Sequence, residues 1–312
     1  SPQMISNILK IVGPIKMDDY EFTINEENFL ATIQAEVEYG DNRSQPKKVL
    51  LDMAPKLLDK IYSSDPTQWL DIFNVFVSGL DRKDVLMYFS ELNLENFVAE
   101  KNFGGLVKNT GEDFLFVTFS NVKGSKTDKV TDNSIFLNSK FEIRNSKPTV
   151  VHKLTLTRQH NGGSEKYGFY NKQNPAYVRV LVPEGAELIG ISGNSKPEFK
   201  PLVDYSEGGF KTDNELSKLE TGFYSTETGV STYTESSKTG FGFWMITDAG
   251  KTKTVELEYA VPLSQNDDGS YSIYIQKQPG LEVDTFEFKV GDSYIYNGGF
   301  DRDLELRYKV NY

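Results

Sequence analysis

The chain has 312 residues, a net charge of −11 and no cysteine. That length suits two domains, and the missing cysteine excludes disulfides, thiolate catalysis and cysteine-type zinc sites. Residues 1–110 carry 11 Lys+Arg against 17 Asp+Glu and the remainder 23 against 28, so no basic stripe is present for nucleic acid or an anionic membrane surface. Aromatic residues are abundant, with 17 Tyr and 21 Phe, which suits sheet surfaces and β cores and would equally furnish a carbohydrate- or protein-binding face. No apolar run reaches the length of a membrane-spanning helix.

The first third reads as helical. Ile5, Ile8, Leu9 and Val12 recur at i, i+3, i+4, i+7, and Gly13-Pro14 stops that helix. Ile15–Phe22 reads as a short strand with an acidic tip. Thr23 or Asn25 would cap a helix running to about Tyr39. A helix from Pro46 through Lys60 puts Val49, Leu50, Met53, Leu57, Leu58 and Ile61 on one side, and Pro55 should kink or split it. Asp65 caps a third helix whose apolar stripe is Trp69, Ile72, Phe73, Phe76 and Val77. Val85–Phe89 reads as a strand and Leu92–Glu100 as a short helix. Alternation of this kind predicts an α/β layer.

The organising seam is Gly111–Phe136. Phe114–Phe119 is a strand-like aromatic and β-branched run, and a polar loop from Asn121 to Thr131 follows, carrying Lys126 and Asp128. Beyond it the period changes to two. Strands are expected over 136–143, 149–157, 177–182, 187–191, 240–247, 252–260, 271–276, 285–290 and 304–310, separated by Gly, Pro, Asn and Asp turns. Thr247–Lys251 is expected to close a hairpin, and Glu198–Ser237 to form long loops or an excursion. The expected fold class is therefore α+β multidomain: a partial α/β layer domain over 1–130, then an antiparallel immunoglobulin-like β-sandwich over 131–312 with an irregular insertion near 198–237.

No motif localises a catalytic centre. GxSxG, the P-loop and a strand-linked GxGxxG are all missing. His152 and His160 share a strand face by parity but lack neighbouring carboxylates, so both read as structural and no metal site is expected. Asn266, Asp267, Asp268 and Gly269 resemble the start of a calcium loop, which a hairpin turn explains as well. Asp292, Asp301 and Asp303 could line a weak calcium site. Trp69 and Trp244 read as core residues.

An ordered set of segments carries a family resemblance. They are Val12-Gly13-Pro14-Ile15, Thr23-Ile24 with Glu27-Asn28, the lysine-led helix from Lys47, Arg82–Phe89, Ser120-Asn121-Val122 with Lys126-Thr127-Asp128, Val178–Ala186, and Gln276–Gly280. In this order they resemble the C-terminal two-thirds of the bacterial envelope family named domain of unknown function 4012. The resemblance implies an extracytoplasmic protein at the cell surface or envelope, held by an N-terminal transmembrane helix upstream of Ser1. The family is also distantly similar to LytR-CpsA-Psr proteins, which transfer glycopolymers from lipid carriers to the cell wall. That likeness would place phosphate binding at Arg43, Lys47 and Lys48, where Pro46 and the lysines depart from the Arg/Gln pattern.

Two readings follow. The first is a structural, adhesive or binding module without cofactor, whose partner is a cell-wall glycopolymer or another envelope protein. The second is a glycopolymer phosphotransferase using Arg43, Lys47 or Lys48 with Mg²⁺ and needing residues upstream of this chain.

Overall fold

The structure is a computed structural model that describes residues 1–122, 125–197, 207–215, 217, 224–225, 227–263 and 269–309. Among the described residues it is α+β, with five helices and two large mixed sheets. The chain divides into two compact units, Ser1–Leu106 with Pro279–Leu281 and Val107–Gln278 with Glu282–Tyr312.

The first unit is mostly helical. Helix α1 (Pro2–Val12) buries Met4, Ile8 and Leu9 and ends where Gly13, at φ 80°, donates its N–H to Leu9 O. The expected strand at Ile15–Phe22 is instead a hairpin, β1 (Ile15–Met17) paired with β2 (Phe22–Ile24). The acidic pair Asp18-Asp19 turns the chain between them, so that Ile15, Met17 and Ile24 all reach the helical core. Helix α2 (Phe29–Tyr39) starts later than its expected caps. Asn25 and Asn28 bond reciprocally to each other's backbone N–H at 2.9 Å, and this turn uses up the residues that would have begun the helix.

Helix α3 (Lys48–Tyr62) runs unbroken through Pro55. Pro55 removes the N–H that would bond Leu51 O, but both residues are exposed, so water can satisfy that carbonyl. Helix α4 (Pro66–Asp81) has a full capping box: Asp65 accepts from Thr67 N and Gln68 N, and the Gln68 amide returns to Asp65 N. It lies on α1, where a Cβ on Gly79 would stand 3.2 Å from Met4 Sδ, so glycine there permits the close approach. The expected strand at Val85–Phe89 does not form. Its backbone bonds back to Gly79 O and across to Phe103 O instead of to a neighbouring strand. Helix α5 (Leu92–Glu100) follows, with the Glu91 carboxylate accepting from Leu94 N and Asn93 N, bonds that hold its carboxyl below the usual range.

The second unit is built from thirteen strands among the described residues. They are β3 (Asp113–Asn121), β4 (Thr131–Arg144), β5 (Lys147–His160), β6 (Asn174–Pro183), β7 (Glu187–Ser192), β8 (Tyr224–Ser225), β9 (Ser231–Glu235), β10 (Lys238–Thr247), β11 (Thr252–Pro262), β12 (Ser270–Gln276), β13 (Thr285–Val290), β14 (Ser293–Gly298) and β15 (Leu304–Lys309). One sheet has the order β15-β12-β3-β6-β10-β9-β8, the other β14-β13-β4-β5-β11-β7. All nine strands expected after the seam are present, whereas β8, β9 and β14 were not expected. The expected calcium-like turn at 266–268, and most of the irregular stretch from 198 to 226, lie outside the described residues.

Two topological expectations are corrected. The sheets are not purely antiparallel, because β12 runs parallel to β3 and β13 runs parallel to β4. Thr247–Lys251 is not a hairpin either. Both edges of β10 are taken, by β6 and β9, so the Asp248–Lys251 turn delivers β11 to the other sheet, between β5 and β7. The long hairpin is β4–β5, closed by Asn145-Ser146, both at positive φ as a two-residue turn of the twisted type requires.

Candidate functional site

The interior phase of β5 is Val150, His152, Leu154, Leu156, Arg158 and His160, all buried. Three polar side chains therefore project into an apolar layer, and each has to find partners there.

Arg158 is the largest. It is fully buried, and its guanidinium donates from Nε to Asn133 Oδ1, from Nη1 to Asn174 Oδ1 and from Nη2 to Asp128 Oδ1, each at 2.9 Å. The Phe119 ring lies 4.9 Å from its central carbon. Burial lowers its pKa, and the Asp128 charge opposes that shift. Asn174 in turn donates to Asp128 Oδ1 and Thr127 Oγ1. The polar loop expected at the seam is thus half of a clamp. Its short 3-10 turn, Thr127–Val130, aims Asp128 inward at Arg158, while Lys126 makes the left-handed bend (φ 62°) that starts the turn.

His152 lies in a second network. Its Nδ1 is 2.7 Å from Ser139 Oγ, and its Nε2 is 2.8 Å from Asp113 Oδ2, which also accepts from Tyr271 Oη at 2.5 Å. Tyr259 stacks on the imidazole at 4.9 Å. The Ser–His–Asp connectivity imitates a hydrolytic relay, but Ser139 and His152 are fully buried and Asp113 nearly so. The ring nitrogens are also used in the opposite sense to the serine-protease relay, in which the serine lies on Nε2 and the aspartate on Nδ1. A nucleophile enclosed by two sheets meets no substrate; the set ties β4 and β5 of one sheet to β3 and β12 of the other. Burial pushes the Tyr259 and Tyr271 hydroxyls well above their ordinary pKa, with the Asp113 charge adding to it. His160 is separate: it contacts Lys172 O through Nε2 and accepts from Gly162 N at Nδ1.

The sequence-expected phosphate residues are on the helical unit. Arg43 donates to Glu38 O at the end of α2, Lys48 pairs with Asp52 at 2.5 Å, and Lys47 is exposed at the start of α3. Two of the three cations therefore already have partners within the chain. The Asp292, Asp301 and Asp303 grouping is not assembled. Asp303 accepts from Tyr274 Oη and Lys277 N, Asp301 pairs with Arg302, and no metal-holding cluster occurs among the described residues. A cavity of about 220 Å³ lies beside α1 and α4, lined by Asn7, Asn74, Ser78, Arg82 and Asp84. It is smaller than the roughly 300–1,000 Å³ of ordinary ligand pockets.

Both tryptophans depart from the expected core. Trp244 is half-buried on the outward side of its sheet, edge-to-face with Tyr177 at 5.1 Å. Trp69 is 42% exposed, and it is not alone: Leu70 and Phe73 are each 60% exposed, and Phe76 and Val77 lie outward beside them. Of the predicted α4 stripe, only Ile72 is buried, together with Gly79 and Leu80.

No family model matches the sequence, and no curated protein matches it. Among solved structures, the chain is similar to a putative nutrient binding protein from Legionella pneumophila (9% identity, TM-score 0.33), covering 57% of this chain and 66% of that one. It is similar also to an M1 zinc metallopeptidase from Deinococcus radiodurans bound to a Tyr-Ser-Ala substrate (12% identity, TM-score 0.26), covering 58% of this chain and 39% of that one. The chain thus spans less than two thirds of either. Likeness at this level carries neither activity nor ligand across.

Proposed function

We propose that this chain is a non-catalytic, extracytoplasmic module of the bacterial cell envelope, structural or adhesive in kind, that docks another protein through the outward face of α4. We read the two-sheet unit as an immunoglobulin-like sandwich that serves as its rigid body. The outward face of α4 carries the proposal. Five large apolar side chains on one helix face, 38–60% exposed, form the kind of surface that soluble chains cover with a partner. The buried histidine and arginine networks support a mechanical body, since they connect strands and keep the imidazole, its serine and the guanidinium away from solvent.

The absence of cysteine makes the test direct. A single Glu258→Cys variant, at a solvent-facing position on β11, is expected to react with a membrane-impermeant maleimide in intact cells. Labelling only after lysis would overturn the location. A photo-reactive residue at Leu70 is expected to give a discrete protein adduct in those cells, and the same residue at Glu258 none. No adduct at Leu70 would overturn the docking.

A further inference from the structure

We propose that the occupant of the α4 face is a second copy of this chain, with two α4 helices packed antiparallel about a two-fold axis near Phe73. This deepens the docking reading and rests on it.

The argument starts from the helical wheel. At 100° per residue, Ile72 and Gly79 lie within 20° of one another, with Val75 beyond them, and they mark the side turned to the core. Phe76, Trp69, Leu80, Phe73, Val77 and Leu70 then continue as an unbroken apolar arc of about 120°, in which Leu80, in the last turn, is buried and the other five are exposed. Asp71, Asn74, Ser78 and Asp81 occupy the rest. A surface helix needs an apolar stripe of roughly 100° to face one core. This helix has that stripe and a second one beside it, and a helix apolar on so much of its circumference is built to be covered on two sides.

A second copy fits the second stripe for three reasons. The stripe holds no charge, so it is complementary to itself, and homodimer contacts are the apolar kind of interface. An antiparallel crossing opposes the two helix dipoles and brings the Asp65 end of one helix level with Asp81 and Arg82 at the end of the other. A two-fold centred on Phe73 pairs Trp69 with Val77 of the second copy, a large ring against a small side chain, and leaves Phe73 and its copy in contact. The exposed parts of the five residues amount to about 500 Å² per copy, or about 1,000 Å² for the pair. That is the lower limit for a specific interface, so the contact is expected to be weak, with Kd of order 10 to 100 μM.

Sedimentation velocity from about 1 to 300 μM tests it. The wild-type chain is expected to move from monomer to dimer across that range. Phe73→Asp and Leu70→Asp are expected to stay monomeric at every concentration with an unchanged melting temperature, because neither residue is in the core. Single-cysteine variants test the geometry: Phe73→Cys should cross-link to itself under mild oxidation, and Trp69→Cys should cross-link to Val77→Cys more readily than to itself. A chain monomeric at 300 μM overturns the proposal, as does a Phe73→Asp variant that still dimerises. If the chain stays monomeric while the Leu70 photo-adduct to a different protein persists, self-pairing falls and the docking reading stands. If both fail, both fall.

Discussion

At the residue scale, Arg158 shows what a buried charge requires. Its cost of burial is offset only because three acceptors on three different segments meet its fork at the same distance. Arg158→Leu removes the charge but leaves Asn133 and Asn174 without their shared donor, and it should destabilise the chain by about 3–5 kcal/mol in urea unfolding. Asp128→Asn should cost less, about 1 kcal/mol, because that side chain is 53% exposed and water can replace part of the bond. The signal for Arg158 was present in the sequence. Positions 150 to 160 alternate apolar and polar with one parity, and Arg158 and the two histidines sit on the apolar parity. Their partners, Asp113, Ser139 and Asn174, lie on other strands far along the chain, and nothing local marks them. Parity reveals a buried polar residue; it does not reveal what satisfies it.

Tyr259 and Tyr271 set the pH response. An unfolded tyrosine loses its proton near pH 10, whereas burial holds these two hydroxyls protonated to well above that. Above pH 10 the folded state therefore binds more protons than the unfolded one, and stability must fall as pH rises. Their contribution is complete below pH 10. Urea midpoints should be flat through pH 7–9 and drop beyond pH 10, and Tyr259→Phe should make the drop shallower. An equally steep fall in that variant would show that other groups control alkaline unfolding.

At the element scale, α4 illustrates how a correct periodicity can point the wrong way. The spacing of Trp69, Phe73, Phe76 and Val77 does mark a helix, but an apolar face shows only that something will cover it, not that this chain's own core will. Its start is more secure. The Asp65 capping box satisfies two N–H groups that the first turn would otherwise leave open, so Asp65→Ala should lower stability by about 1 kcal/mol. A loss under about 0.3 kcal/mol would mean water serves those groups equally well. The β10–β11 connection went unread for a different reason. A Gly-containing turn between two alternating segments looks the same whether the strands pair or part, and only the occupied edges of β10 decide it. Gly250, at φ 71°, shapes that turn.

At the scale of the whole molecule, strand identity was legible and strand order was not. Alternation assigns each segment to a sheet face, but which strands become neighbours depends on contacts between distant residues. The two parallel pairs carry the longest of these. Strand β3 is complete at Asn121, yet one of its two neighbours, β12, ends at Gln276. Between them lie 155 residues, the difference of those two positions, which at roughly 5–20 residues per second takes a ribosome about 8 to 30 s. During that interval one edge of an aromatic-rich strand has no partner from its own chain. A chain truncated after residue 269 should leave the β3 amides that face β12 open to hydrogen exchange, while those of β4 facing β5 remain protected. Newly made copies are then open to edge-to-edge association until the last seventh of the chain arrives, so the yield of folded protein should depend on how fast that last part is delivered and on what holds the edge of β3 in the meantime.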